Sequence, residues 1–191
     1  KILNQPRALS ALVFYFGIKK EFKELGLHNI FFSENYKEEF DTYFKKNTLY
    51  SDTTVYINIS SKFNQNDAPQ GCENWFVMIN TPPQIGQDWD KLIKDARTHI
   101  LQKLSTILNT DIESLIEEED VLEPRIIESK TFSYQGSLYG NSSNNKFSAF
   151  LRHANFSSRI KGLYFCGGSV HPGGGIPLSL LSAKIIDDII H

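Results

Sequence analysis

Five glycines, at positions 167, 168, 173, 174 and 175, share the stretch GGSVHPGGG with Ser169, His171 and Pro172, and this stretch runs directly into IPLSLLSAKIIDDII. A glycine has no β-carbon, so it can take positive φ angles and let a ligand come close to the backbone. Leu178, Leu181, Ile185 and Ile189 recur at helical intervals, and Pro177 suits the first turn of that helix. The start of a helix presents unpaired N–H groups and about half a positive charge. A group held beyond this loop would therefore be electron-rich, either the edge of a planar cofactor or a phosphate. The competing reading is a sharp turn that only closes a terminal helix onto a sheet.

Several chemistries are excluded by the residues themselves. A P-loop needs Lys and then Ser or Thr after its last glycine, and Ile176 and Pro177 stand there instead. A nucleophile elbow needs glycine two places after its serine, where Ser169 is followed by Val170 and His171. His171 beside Ser169 in sequence makes no dyad, because catalysis requires reach between side chains and a third orienting group. His171 is accordingly a candidate proton acceptor set against a structural role within its loop. The histidines at 28, 99, 153, 171 and 191 show no metal-ligand spacing with one another or with the two cysteines, so no metal site is expected.

The loop has to be positioned by its neighbours. GLYFC before it reads as a short apolar strand, giving the order strand, glycine loop, helix. Upstream, SALVFYFGI is apolar on both alternating faces, as an interior strand should be. HNIFFS offers another strand. SENYKEEFDTYFKKN then places Tyr36, Phe40, Tyr43 and Phe44 on one helical face, with Ser33 as cap, Glu34 in the first turn and Lys45 and Lys46 in the last. TTVYINISSK alternates as a half-exposed strand, and NWFVMINTPP is a strand stopped by Pro82 and Pro83 that pairs with it in hairpin fashion. Trp89, Leu92, Ile93, Ala96, Ile100, Leu104, Ile107 and Leu108 keep helical spacing across residues 88–109. A shorter helix is expected at DIESLIEEED, and EPRIIESKTFSYQGSLYG reads as strand and turn.

With 191 residues, 40% hydrophobic, 22% charged and a net charge of -2, the composition is that of a packed globular chain, and nucleic acid is not an expected partner. No apolar stretch reaches the roughly 18 to 20 residues that cross a bilayer, and no signal-peptide cleavage pattern follows the first apolar run. Cys72 and Cys166 lie far apart and fit free thiols in a reducing, cytoplasmic setting. The chain opens on Lys1 with a segment that already reads like core, which suggests a fragment of a larger protein.

The stretch LYFCGGSVHPGGGIPLSLLSAK resembles the carboxyl-terminal flavin-binding signature of the phytoene desaturase family. GLHNIFFSENYKEEFDTYF, YQGSLYGNS and LRHANFSSRIKGLYF resemble further segments of those carotenoid desaturases in the same order, so the resemblance spans most of the chain. The family's Gly-x-Gly-x-x-Gly dinucleotide turn does not occur here.

The resemblance implies an α+β fold in which a mixed sheet with packed helices forms part of a substrate-binding domain, residues 1–122. Residues 123–191 would return to and complete a Rossmann-like FAD-binding domain whose amino-terminal half is absent. It implies FAD as cofactor, with Gly167, Gly168, Gly174, Gly175, Ile176, Pro177 and Leu178 around the flavin; His171 stays the catalytic candidate by its place in that loop. The implied activity is desaturation of a carotenoid or related isoprenoid polyene by hydride transfer to flavin. The alternatives are a flavoprotein saturase or isomerase acting on a polyene, and a non-catalytic binding domain. Implied partners are the polyene, the missing portion of the same protein and, because carotenoids dissolve in bilayers, a membrane surface touched peripherally.

Overall fold

The computed structural model describes residues 5–142 and 152–191; Lys1 and its neighbours, and Leu151 at the head of LRHANF, lie outside them. Five strands, β1 (Ser10–Ile18), β2 (His28–Phe31), β3 (Val55–Ile59), β4 (Glu73–Thr81) and β5 (Ile116–Leu122), form one sheet in the order β2-β3-β4-β1-β5. Among the described residues four α-helices accompany it: α1 (Tyr36–Asp41), α2 (Trp89–Ile107), α3 (Pro124–Thr131) and α4 (Ile176–Ile190). The architecture is α+β.

Alternation decides the core. Leu12, Phe14, Phe16 and Ile18 of β1, Val55, Ile57 and Ile59 of β3, and Trp75, Val77 and Ile79 of β4 are buried on one face of the sheet. The registers Leu12↔Ile79, Phe14↔Val77 and Phe16↔Trp75 set them side by side. Against this face lie Ala96, Ile100, Leu101 and Leu104, one stripe of α2. Each such fully buried side chain stabilises the fold by roughly 1.5–3 kcal/mol relative to exposure. Asp88 fixes the start of α2 by accepting the N–H of Lys91 at 3.1 Å. Glu73, buried beside this core, is fully engaged, accepting from the N–H of Phe22 at 2.9 Å and the indole N–H of Trp75 at 2.7 Å while pairing with Lys62 at 2.5 Å. On the opposite face Tyr15, Tyr56 and Phe76 remain partly exposed, their rings in edge contact at 5.6 and 6.4 Å.

The structure corrects several expectations. The sheet is antiparallel at every pairing and not mixed. DIESLIEEED forms a 3-10 turn at Glu113–Leu115 and then strand β5, because the free edge of β1 supplies backbone partners that a lone helix would lack. Its charges suit an edge strand, where they face solvent and discourage further pairing. EPRIIESKT is instead helix α3: Pro124 occupies its first turn and Glu123 accepts the N–H of Arg125 at 2.8 Å. The helix expected over SENYKEEFDTYFKKN starts later, capped by Asn35 and not Ser33, with Glu38 and Glu39 in its first turn where Glu34 was expected; at Thr42–Lys46 it widens into a π turn. GLYFC makes only the isolated bridge Phe156↔Tyr164 and no strand. A strand needs a continuous partner ladder, and the described residues provide none there.

Candidate functional site

The glycine-rich loop takes its shape from backbone conformations that side chains disfavour. Gly167 has φ +113°, Gly173 +139° and Gly175 +101°. Gly175 is the residue before α4, and no side chain caps the helix. The N–H groups of Ile176 and Leu178 therefore lack intrahelical acceptors, Pro177 between them having no N–H to offer. Gly174 is glycine for a different reason: a β-carbon there would overlap the ring of Tyr139.

Two buried polar side chains tie the loop together. The side-chain amide of Asn155 donates to the Phe165 carbonyl at 3.1 Å, the His171 carbonyl at 2.8 Å and the Ser182 hydroxyl at 2.9 Å. The Ser182 oxygen also accepts the N–H of Gly167 at 3.1 Å. Asn155 and Ser182 are 4% and 0% exposed, so these bonds are made away from competing water. They join both arms of the loop to the first half of α4. Arg152 adds a bond to the Gly168 carbonyl at 3.1 Å and one to that of Tyr139 at 2.9 Å.

Gly174 and Gly175 line a cleft of about 500 Å³ with Arg152, Tyr139, Leu138, Ser10, Asn80, Phe40 and Phe44. The structure thus brings two of the seven expected cofactor residues to a cavity shared with the start of β1 and an aromatic pair. Gly167 and Gly168 are not part of that lining, and Gly168 packs against Gly174. Ile176, Pro177 and Leu178 are exposed on the first turn of α4. His171 is exposed as well; its backbone N–H donates to the His153 carbonyl at 2.9 Å, and its ring has no hydrogen bond among the described residues. A larger cavity of about 1020 Å³ also borders the loop, lined by Arg7, Phe132, Tyr134, His153, Phe165 and Ser169 among others. No group of three His, Cys, Asp or Glu side chains poised for a metal occurs among the described residues, and both cysteines are free thiols. No helix among them is long and apolar enough to cross a membrane.

Asn155, Ser182, Arg152 and Tyr139 escape a reading of motifs because no local spacing marks them, and the helical spacing of Phe40 and Phe44 marks a face without pointing to the loop; only folding brings these residues to it. Helix α4 also carries an apolar surface that nothing described covers: Ile176, Leu178, Leu180, Leu181, Ile189 and Ile190 are exposed. Single exposed apolar residues are ordinary, but a contiguous set marks an interaction face.

No family model matches the chain. Curated relatives do. It is 61% identical over its whole length to a 1-hydroxycarotenoid 3,4-desaturase of a Flavobacterium species, covering 39% of that protein. Over 95% of its length it is 35% identical to a 4,4'-diapolycopene oxygenase of a Methylomonas species, covering 37% of it. A phytoene desaturase of Fusarium fujikuroi is 29% identical across 98% of the chain, which covers 36% of that relative. The chain spans less than two fifths of the length of these relatives, in keeping with a segment of a longer fold. With the glycine loop, its helix and the segments leading to them all falling inside the aligned region, the chain belongs to the carotenoid desaturase family.

Proposed function

We propose that this chain is part of an FAD-dependent oxidoreductase that desaturates a carotenoid or related isoprenoid polyene. One observation carries the reading: the loop ahead of the open N-terminus of α4 shares its cleft with Phe40, Phe44 and Tyr139, so that an electron-rich ring and an apolar chain could meet there. The cleft volume, about 500 Å³, lies within the range of small-molecule sites.

Residues 123–191 would complete the FAD domain and residues 1–122 would belong to the substrate domain. Gly167, Gly168, Gly174, Gly175, Ile176, Pro177 and Leu178 would hold the flavin, and the exposed face of α4 would pack on the portion of the protein outside this chain. A bound flavin would accept the hydride that leaves an allylic carbon as the neighbouring carbon loses a proton and the double bond forms. The chain's own contribution is placement. The N–H groups of Ile176 and Leu178 favour negative charge by roughly 0.3–1 kcal/mol, and the aromatic side of the cleft excludes water from the polyene. His171 is the proton-acceptor candidate. Peripheral contact with a membrane would deliver the apolar substrate.

The test is purification of the full-length protein, with its flavin spectrum and its products on acyclic carotenes in liposomes. A yellow protein that introduces double bonds is the expected result. A colourless protein would favour a binding domain. The name of the Methylomonas relative, a 4,4'-diapolycopene oxygenase, favours one second reading, oxygenation of the polyene, and product mass separates that from desaturation, saturation and isomerisation.

A further inference from the structure

Glu39 is buried at 0% exposure, and no ion pair to it occurs among the described residues. Its Oε1 accepts from the Tyr43 hydroxyl at 2.9 Å, the Thr53 hydroxyl at 3.0 Å and the Thr54 N–H at 2.8 Å; its Oε2 accepts from the Thr54 hydroxyl at 2.7 Å. A buried carboxylate without a cation is costly unless hydrogen bonds saturate it, and four donors do so here. Tyr43 is fully buried with it, and its hydroxyl also meets that of Thr53. The network ties α1 and the π turn Thr42–Lys46 to the chain just before β3.

The consequence lies one residue along. Phe40 follows Glu39 and Phe44 follows Tyr43, so pinning the first pair inward fixes the direction of the second. Their rings lie 6.3 Å apart, with Phe40 also 5.8 Å from the Tyr43 ring. Both phenylalanines line the cleft that holds Gly174 and Gly175. Widened π turns recur at functional sites because the extra residue re-aims side chains.

We propose that Phe40 and Phe44 form the wall that contacts the apolar substrate opposite the glycine loop, and that Glu39 is the positioning residue that sets this wall. The assignment rests on the polyene reading above and adds to it the residues that grip the chain.

The experiment uses the full-length flavoprotein with an acyclic carotene in liposomes. Phe44→Ala should raise KM about tenfold, as expected for losing an aromatic contact that the substrate would bury, with kcat, bound flavin and melting temperature close to wild type, since Phe44 is exposed in the chain itself. Glu39→Ala should raise KM in the same direction. Glu39→Gln should restore KM to within about twofold, since its amide oxygen still accepts from Tyr43, Thr53 and the Thr54 N–H while its NH₂ group donates to the Thr54 hydroxyl. The proposal is overturned if Phe44→Ala leaves KM unchanged, or if Glu39→Ala lowers kcat, flavin content and melting temperature together without a KM effect. If Glu39→Ala does not fold, Phe44→Ala with Glu39→Gln decides the matter. A wild-type protein that holds no flavin or leaves the carotene unchanged overturns the function itself, a different outcome from flavin-replete variants with unaltered KM.

Discussion

Replacing Asn155 with alanine tests whether the glycine loop is held by its own polar knot. The side-chain amide has two N–H groups and serves three acceptors, the Phe165 and His171 carbonyls and the Ser182 hydroxyl. Each bond contributes about 1 kcal/mol net, and a carbonyl left dry costs about 1–3 kcal/mol more. Losing two bonds and stranding one carbonyl comes to roughly 3–5 kcal/mol, at least about a hundredfold in the local opening equilibrium. Hydrogen exchange in the full-length protein reads this directly. Protection of the Gly167 and His171 amides should fall at least about a hundredfold, while amides of β1 and β4 keep theirs. Asn155→Asp adds a check of sign: a carboxylate facing two carbonyl oxygens has its folded-state pKa raised, so its penalty grows as pH rises above the unfolded value of about 3.9. That variant should be nearer wild type in acid than at neutral pH. Loop protection within about threefold of wild type in Asn155→Ala, or equal loss at β1 and β4, would refute the knot.

Other perturbations reach different parts of the molecule. Gly174→Ala should destabilise by roughly 1–3 kcal/mol through overlap with the Tyr139 ring, and a Gly174→Ala/Tyr139→Ala double mutant should recover part of that loss in a denaturation cycle. Burial opposes ionisation of Asp52, yet the Lys103 ammonium at 2.7 Å and the Glu34 N–H hold its carboxyl below the usual carboxylate range. Its contribution is therefore present above the unfolded pKa of about 3.9 and is lost as pH falls through the lower folded value. Melting curves of Asp52→Asn should accordingly depend less steeply on pH in that acid window. Phe14→Ala, at a fully buried position stacked on Phe16, should cost about 3–5 kcal/mol of global stability and expose every strand to exchange.

By itself the sequence determined the elements whose side-chain pattern is strong: the apolar strands around Phe14 and Val77, the alternating strand around Ile57, and the long amphipathic α2. In the last two, the apolar period decides which face is buried before any partner is known. It also determined the glycine loop and the start of α4, since glycine and proline act through their own backbone limits. Tertiary structure decided the rest. IEEEDVL has the composition of a helix and is a strand because β1 offers it an edge; GLYFC has the composition of a strand and stays unpaired among the described residues. Glu123 and Pro124 did carry a local helix signal, yet the apolar pair after them reads equally well in either period. The placement of Phe40 on α1 and Phe44 on the π turn depends on Glu39 meeting Thr53 and Thr54 across the fold. The Asn155 amide, likewise, reaches Ser182 only after the chain has turned through the whole loop. Period and backbone limits are properties of neighbours in sequence, whereas a buried hydrogen bond belongs to groups that only the fold makes neighbours.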